Sequence, residues 1–122
     1  MVKTYQDLQI YRQSLELAKA VYSLTKVFPK DETFGMRDQI RRAVASVGAN
    51  IAEGFGRFHY KDKLVFFYNA RGSLYETQHF LELASMVGYI SQEKKQELLD
   101  LSKDLSVRLS NFIKSVGSRN NE

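Results

Sequence analysis

The sequence lacks cysteine and tryptophan, has one proline in 122 residues, and contains no long hydrophobic run. Without cysteine there is no disulfide framework, thiolate metal site or cysteine nucleophile, and the simplest interpretation is a cytoplasmic protein. Charge-free stretches reach only ten residues, about half of what crosses a bilayer. Residues 1–8 lack the charged and apolar regions of a signal peptide. The sequence therefore predicts neither export nor membrane insertion.

The residues that are present fit one folded domain. The chain is 43% hydrophobic and 26% charged, so it can bury enough apolar surface to offset the entropy lost on folding. A chain of this length has room for one hydrophobic core and no second. We expect a single domain over residues 1–122, with loose ends only at residues 1–4 and 118–122.

Apolar residues recur at spacings of three and four, which is the period of amphipathic helices, and no strand-like alternation interrupts them. Pro29 is expected to end the first helix, Gly88 to end the third, and Ser91 to cap the fourth. Short connections favour antiparallel neighbours, so the sequence predicts an all-α, up-down-up-down four-helix bundle. The predicted helices cover about residues 7–27, 36–56, 60–87 and 91–117.

Small residues crowd the second predicted helix. Glycine costs about 1 kcal/mol in a helix interior relative to alanine, so its expected benefit is the close approach of a neighbouring backbone. We therefore expect this helix to be the most tightly packed of the four.

Positive charge is concentrated between residues 37 and 71, which hold seven basic and three acidic residues, while the rest of the chain is balanced. This excess can attract nucleic acid, although a solvated helix face gives the same count. Aromatic residues between positions 55 and 68 can stack on bases, or belong to a core or subunit interface. The candidate nucleic-acid-binding residues are Arg37, Arg41, Arg42, Arg57, Lys61 and Lys63.

A polar stripe runs along the second helix at steps of four, four, three and four; it consists of Arg42, Ser46, Asn50, Glu53 and Arg57. It can form a structural hydrogen-bond network with the third helix, or line an opening that receives a ligand. The structural interpretation is preferred, because charges of both signs at this spacing pair readily. The expected network consists of Ser46, Asn50, Glu53, Arg71, Ser73 and Glu76.

One enzyme-like pattern is present, a Glu-x-x-His formed by Glu76 and His79. Carboxylate-bridged di-metal sites in bundles need a second such motif, and Gly56 occupies the position three residues before His59. No dinucleotide or phosphate-binding loop is recognisable. The sequence therefore predicts a protein without catalytic residues, metal or cofactor, and a metal-binding bundle remains a remote alternative.

Several motifs carry a family resemblance that extends over nearly the whole chain. They are Gln-Ile-Arg-Arg-Ala at 39–43, Asn-Ile-Ala-Glu-Gly-Phe-Gly-Arg at 50–57, Tyr-Gln-Asp-Leu at 5–8, Phe-Pro at 28–29 and Ala-Arg-Gly-Ser-Leu at 70–74. On these residues the chain resembles the bacterial four-helix-bundle family of S23, or 23S rRNA intervening-sequence, proteins. It departs where that family commonly has proline, since residues 47–49 read Val-Gly-Ala.

The resemblance implies a four-helix bundle that assembles as a ring-shaped homopentamer. It also implies kinship with the accessory protein of diversity-generating retroelements, a basic barrel that binds RNA and a reverse transcriptase. We therefore expect a non-enzymatic oligomer that binds RNA, or a nucleic-acid-processing protein, through basic residues repeated around a ring. The alternative is a protein-interaction scaffold with no nucleic-acid role.

Overall fold

The computed structural model describes residues 1–120, except for the side chain of Asn120. Short 3-10 turns at Tyr5–Asp7 and Lys30–Glu32 precede the first and second helices. The predicted all-α, four-helix bundle is confirmed. The helices are α1 (Gln9–Thr25), α2 (Met36–Gly56), α3 (Tyr60–Met86) and α4 (Gln92–Asn120).

The four helices form a square in cross-section. Each of α1–α2, α2–α3, α3–α4 and α1–α4 is a packed pair, and over residues 1–120 the Cα atoms of the diagonal pairs do not approach within 8 Å of each other. The largest of these interfaces joins α2 to α3. All four helices contribute to one core, whose fully buried residues include Leu17, Ile51, Phe67, Leu74, Leu105 and Leu109.

Helix α1 is shorter than predicted, because it begins at Gln9 instead of residue 7 and ends at Thr25 instead of residue 27. The N–H groups of Lys26 and Phe28 bond carbonyls only three residues back, which closes the helix before the proline is reached. Pro29 therefore does not stop α1 directly. It precedes the 3-10 turn Lys30–Glu32, and its extended backbone sets the direction of the loop.

Helix α4 is longer than predicted and runs through Gly117 to Asn120. Among the described residues, Gly88 alone has a positive φ, so Gly117 keeps a right-handed helical backbone and terminates nothing. Residues 118–120 are consequently helical and were wrongly expected to be loose. The expectation for residues 121 and 122 lies outside the described residues.

At the turn between α3 and α4, Gly88 ends α3 and Ser91 caps α4, as the sequence predicted. Gly88, at φ 84°, donates to the Ser85 carbonyl, and Tyr89 donates to the Ala84 carbonyl at 2.8 Å, which is the paired arrangement of a Schellman motif. Ser91 Oγ accepts from the Lys94 N–H at 3.1 Å, as an N-cap does. None of the described helices combines the length and apolar character needed to cross a bilayer.

We expect Ser91→Ala to lower the free energy of unfolding by about 1 kcal/mol, because an orphan N–H of α4 loses its acceptor. Urea denaturation followed by circular dichroism measures the change. Ser115→Ala, at an exposed position within α4, is the matched control and should leave stability unchanged or slightly raised. Equal losses in both variants would contradict the cap.

Candidate nucleic-acid interface

Arg37 is a predicted nucleic-acid contact, but its guanidinium is hydrogen-bonded to other groups of the protein. Its Nε donates to the Thr25 carbonyl and its Nη1 to Thr33 Oγ1, each at 2.9 Å. Its Nη2 donates to the carbonyls of Phe28 and Pro29. One guanidinium thus satisfies the carbonyls at the end of α1 and the following loop, and it fastens this loop to the start of α2.

Arg41 extends the same attachment by one turn of α2. Its Nε donates to Thr25 Oγ1 at 2.8 Å and its Nη2 to the Tyr22 carbonyl at 3.2 Å, while its guanidinium lies 4.8 Å from the centre of the Tyr22 ring. Arg42 is different, because its side chain is 79% exposed and pairs only with Asp38, at 3.0 Å. Of the three arginines at this end of α2, Arg42 is therefore the one available to a partner.

At the opposite end of α2, basic and aromatic side chains surround the turn into α3. Phe58 is 88% exposed and its ring meets His59 edge-on at 5.0 Å. A cleft of about 490 Å³ lies beside this turn. We call this cleft the corner cleft; it is lined by Phe58, His59, Tyr60, Lys61 and Lys63.

Lys63 lines the corner cleft and Arg57 precedes Phe58 in the chain, but the two cations differ in how firmly they are held. Arg57 is half exposed, lies 3.4 Å from the Glu53 carboxylate and stacks 4.5 Å from the Phe66 ring centre. Lys63 Nζ donates to the Phe55 carbonyl at 2.7 Å, so it caps the end of α2. Partial burial lowers the pKa of the Lys63 ammonium below its ordinary value. Arg57 can turn to a ligand, whereas Lys63 is held by the helix end.

The topology brings further basic residues, not recognised from the sequence, to this end of the bundle. Because α1 starts and α4 ends where α2 meets α3, Lys3, Arg12, Lys114 and Arg119 lie at this same end of the bundle. Within residues 1–12, 53–63 and 112–119, seven basic residues face three acidic ones. Residues 19–42 and 82–100, at the other end, hold eight basic and seven acidic residues. The excess positive charge of the described chain therefore sits at one end, which we call the basic end.

The predicted polar network forms only in part. Ser73 Oγ donates to Ser46 Oγ at 3.1 Å, and the Asn50 amide donates to the carbonyl and hydroxyl oxygens of Ser46. These three partly buried side chains join α2 to α3.

The three charged members of the expected network lie elsewhere. Glu53 faces Arg57 on its own helix, and Arg71 stacks 5.2 Å from the Tyr68 ring centre. Glu76 is exposed on α3. Charged side chains at these positions reach solvent, so nothing forces them into a buried network.

The aromatic residues near the α2–α3 turn also divide into two groups. Phe67 is in the core at 1% exposure, and Phe55 and Phe66 are half buried. Phe58, Tyr60 and Tyr68 are exposed. The core interpretation is therefore confirmed for Phe67, while base stacking and a subunit interface both stay predictions for the three exposed rings.

Glu76 and His79, the enzyme-like pair, are both exposed on α3. Within residues 1–120, no group of three or more potential metal-ligating side chains comes together.

Fold and charge together define an all-α helical-bundle protein with one basic, partly aromatic end. The model of the 23S rRNA-intervening sequence protein family matches residues 6–111, so the chain belongs to that family, whose function is unknown. No curated protein matches the chain.

A solved structure gives the same fold. It is the crystal structure, at 1.70 Å, of a protein of unknown function from the S23 ribosomal protein family of Bacteroides thetaiotaomicron VPI-5482. The two chains are 28% identical and superpose with a TM-score of 0.77. The match covers 86% of this chain and 98% of that chain.

Proposed function

We propose that this protein is a non-enzymatic, oligomeric helical bundle that binds RNA through its basic end. The observation that carries the proposal is the corner cleft, where the 88% exposed Phe58 stands beside Lys61 at the end with seven basic and three acidic residues. Basic grooves with exposed aromatic rings are typical of single-stranded nucleic-acid binding, since cations hold the phosphates and rings stack on bases.

Oligomerisation would strengthen the attraction of the modestly charged basic end for RNA. A ring of identical subunits repeats each basic end around its axis, which raises the local potential without changing the sequence. Five copies is the number that the family resemblance implies. A cytoplasmic location fits this proposal, because the cysteine-free chain needs no oxidising compartment.

A protein-interaction scaffold is the second candidate, and exposed apolar side chains on α3 favour it. Val65, Tyr68 and Tyr75 are each about half exposed on this helix. A protein partner that is recovered equally well after nuclease treatment would support the scaffold over the RNA-binding function.

Fluorescence anisotropy with a labelled, mixed-sequence single-stranded RNA tests the RNA-binding function. We expect Arg57→Glu combined with Lys61→Glu to weaken binding at least about tenfold and to flatten the dependence of the binding constant on salt concentration. The control is Lys26→Glu with Lys30→Glu, which makes the same charge change at the opposite end and should weaken binding less than about threefold.

Phe58→Ala separates stacking from charge in the same assay. It should weaken binding by about 1–3 kcal/mol while leaving the salt dependence unchanged, because no cation is removed. Binding that is insensitive to salt, or weakened equally by both charge-reversal pairs, would contradict RNA binding at the basic end.

A further inference from the structure

Helix α3 carries a second row of apolar residues on the side opposite the core. Val65, Tyr68, Gly72 and Tyr75 follow at steps of three and four, the same period as the buried row that includes Phe67 and Leu74. A helix that is apolar on two opposite sides has one of them left uncovered within the subunit. We call the uncovered row the α3 ridge; its large members are Val65, Tyr68, Tyr75, Leu83 and Met86, exposed by 56%, 49%, 52%, 36% and 83%.

The outer side of α1 and α2 forms a groove, in contrast to the row of large side chains on the α3 ridge. A groove of about 270 Å³ runs between these helices, and its floor includes the small residues Ala45, Ala49 and Ala52 of α2. Ala45 and Ala49 are exposed, and Leu15 on the α1 side is 50% exposed. We call this surface the α1–α2 groove. Small side chains there leave room for large ones to insert, as knobs insert into holes between packed helices.

The internal register sets the ridge and the groove at matching heights. Ser46 bonds Ser73 across the α2–α3 interface, and Gly54 lies against Phe67. By the same offset, Tyr68 is level with Ala52, and Tyr75 is level with Ala45. Both pairs are seven residues apart, which is two helical turns or about 10.5 Å. A second copy that is rotated about an axis parallel to the bundle, without sliding, places each tyrosine opposite an alanine.

The heights of the exposed charged side chains also fit this register. Glu76 on α3 is level with the part of α2 that carries Arg42, whose side chain is 79% exposed. Ser14 lies against Gly48, and this offset brings Lys19 of α1 to the same height. In a second copy docked at this register, the exposed Glu76 carboxylate would lie near two cations, and opposite charges across an interface fix its register.

The exposed apolar area of the α3 ridge is more than half of what one partner buries in a standard interface. At about 200 Å² for a large side chain, the exposed fractions of the α3 ridge amount to on the order of 500 Å². A standard interface buries about 800 Å² per partner, and the polar residues flanking the ridge can supply the remainder.

We propose that the α3 ridge of one copy docks in the α1–α2 groove of the next. The inference rests on the oligomeric assembly proposed above and names its interface. Because ridge and groove are different surfaces of one chain, the contact is head-to-tail, and repeating it without sliding gives a ring when the rotation between neighbours divides a full turn.

Engineered cysteines test the contact without background, since the chain has no cysteine of its own. Gly72 on the ridge and Ala49 in the groove are level, and a Cβ at Gly72 meets no atom within 4 Å. Under mild oxidation, the Gly72→Cys, Ala49→Cys double variant should give a ladder of covalent multimers on denaturing gels. Neither single variant should cross-link alone, whereas a mixture of the two should give covalent dimers.

The possible results distinguish failure of the ridge–groove contact from failure of oligomerisation itself. Cross-linking by Gly72→Cys alone would mean that ridges meet each other and would overturn the head-to-tail contact. An oligomer by light scattering that gives no ladder would overturn this interface while leaving the assembly standing. A monomer would overturn both, and RNA binding measured on that monomer would still test the basic end separately.

Charge reversal provides a second test that does not depend on disulfide formation. We expect Glu76→Arg to weaken self-association at least about tenfold, and Glu76→Arg with Arg42→Glu to restore it. Asp100→Arg makes the same charge change on the exposed side of α4 and should have no effect. Failure of the double variant to recover any association would contradict the Glu76–Arg42 register.

Discussion

Replacing Arg37 by alanine is expected to lower the free energy of unfolding by about 3 kcal/mol, a large effect for a residue that is not fully buried. The guanidinium is the hydrogen-bond donor to the Thr25, Phe28 and Pro29 carbonyls, so its loss leaves acceptors at the end of α1 without their partner. Urea denaturation monitored by circular dichroism gives the value directly.

Two variants make the interpretation specific. Arg42→Ala removes an arginine five residues further along α2, whose side chain is 79% exposed, and should cost less than about 0.5 kcal/mol. Arg37→Lys keeps the positive charge but loses the planar guanidinium and most of its N–H donors. It should therefore recover less than half of the stability that Arg37→Ala loses. Similar losses in Arg37→Ala and Arg42→Ala would show that Arg37 does not fasten the loop.

Gly54→Ala is expected to destabilise the bundle by about 1–3 kcal/mol, although alanine is the better helix former. An added Cβ would lie 2.7 Å from Cε1 and 2.9 Å from Cδ1 of Phe67. That ring is 1% exposed and lies edge-on against Phe112 at 5.0 Å, so moving it away would disturb the packing of the core. Thermal or urea denaturation measures the loss.

Gly117→Ala is the matched control, because its Cβ would meet no atom within 4 Å. It should raise stability by up to about 1 kcal/mol, since alanine restricts the unfolded chain and suits a helix. Adding Phe67→Leu to Gly54→Ala should cost less than the two single changes together, because the smaller side chain relieves the overlap. An increase in stability on Gly54→Ala would contradict the close approach of α2 and α3.

Local signals account for what the sequence predicted well. The boundaries of α2, the turn at Gly88 and the cap at Ser91 follow from residues within a few positions of each other. The early end of α1 is less local, because carbonyls in its last turn accept from the side chains of Arg37 and Arg41 in the next helix. A sequence pattern cannot show that a basic residue is already occupied by carbonyls twelve to nineteen positions away.

In the candidate site, too, some residues are recognisable from the sequence and others only from the fold. Arg57 and Lys61 were recognised by their charge, while Lys3, Lys114 and Arg119 join them only through the topology of the bundle. The small residues of α2 were assigned to close packing, which holds for Gly48 and Gly54 but not for the exposed Ala45 and Ala49. The row from Val65 to Tyr75 was present in the spacing and could have been found by testing the polar side of α3 for a second apolar period.

The two proposals reinforce each other. A contact without sliding keeps the basic end of every copy on the same side of the ring, so the excess of positive charge at that end is multiplied by the number of subunits. RNA affinity should therefore fall when the ring is broken by Glu76→Arg, although residue 76 is outside the basic end.

The mass of the purified protein by light scattering tests the central claim most directly, because both the ring and its basic face depend on it. Five copies of the 14.1 kDa chain predict a mass of about 70 kDa that Glu76→Arg reduces and the added Arg42→Glu restores. A mass near 14.1 kDa for the unmodified protein would contradict the ring.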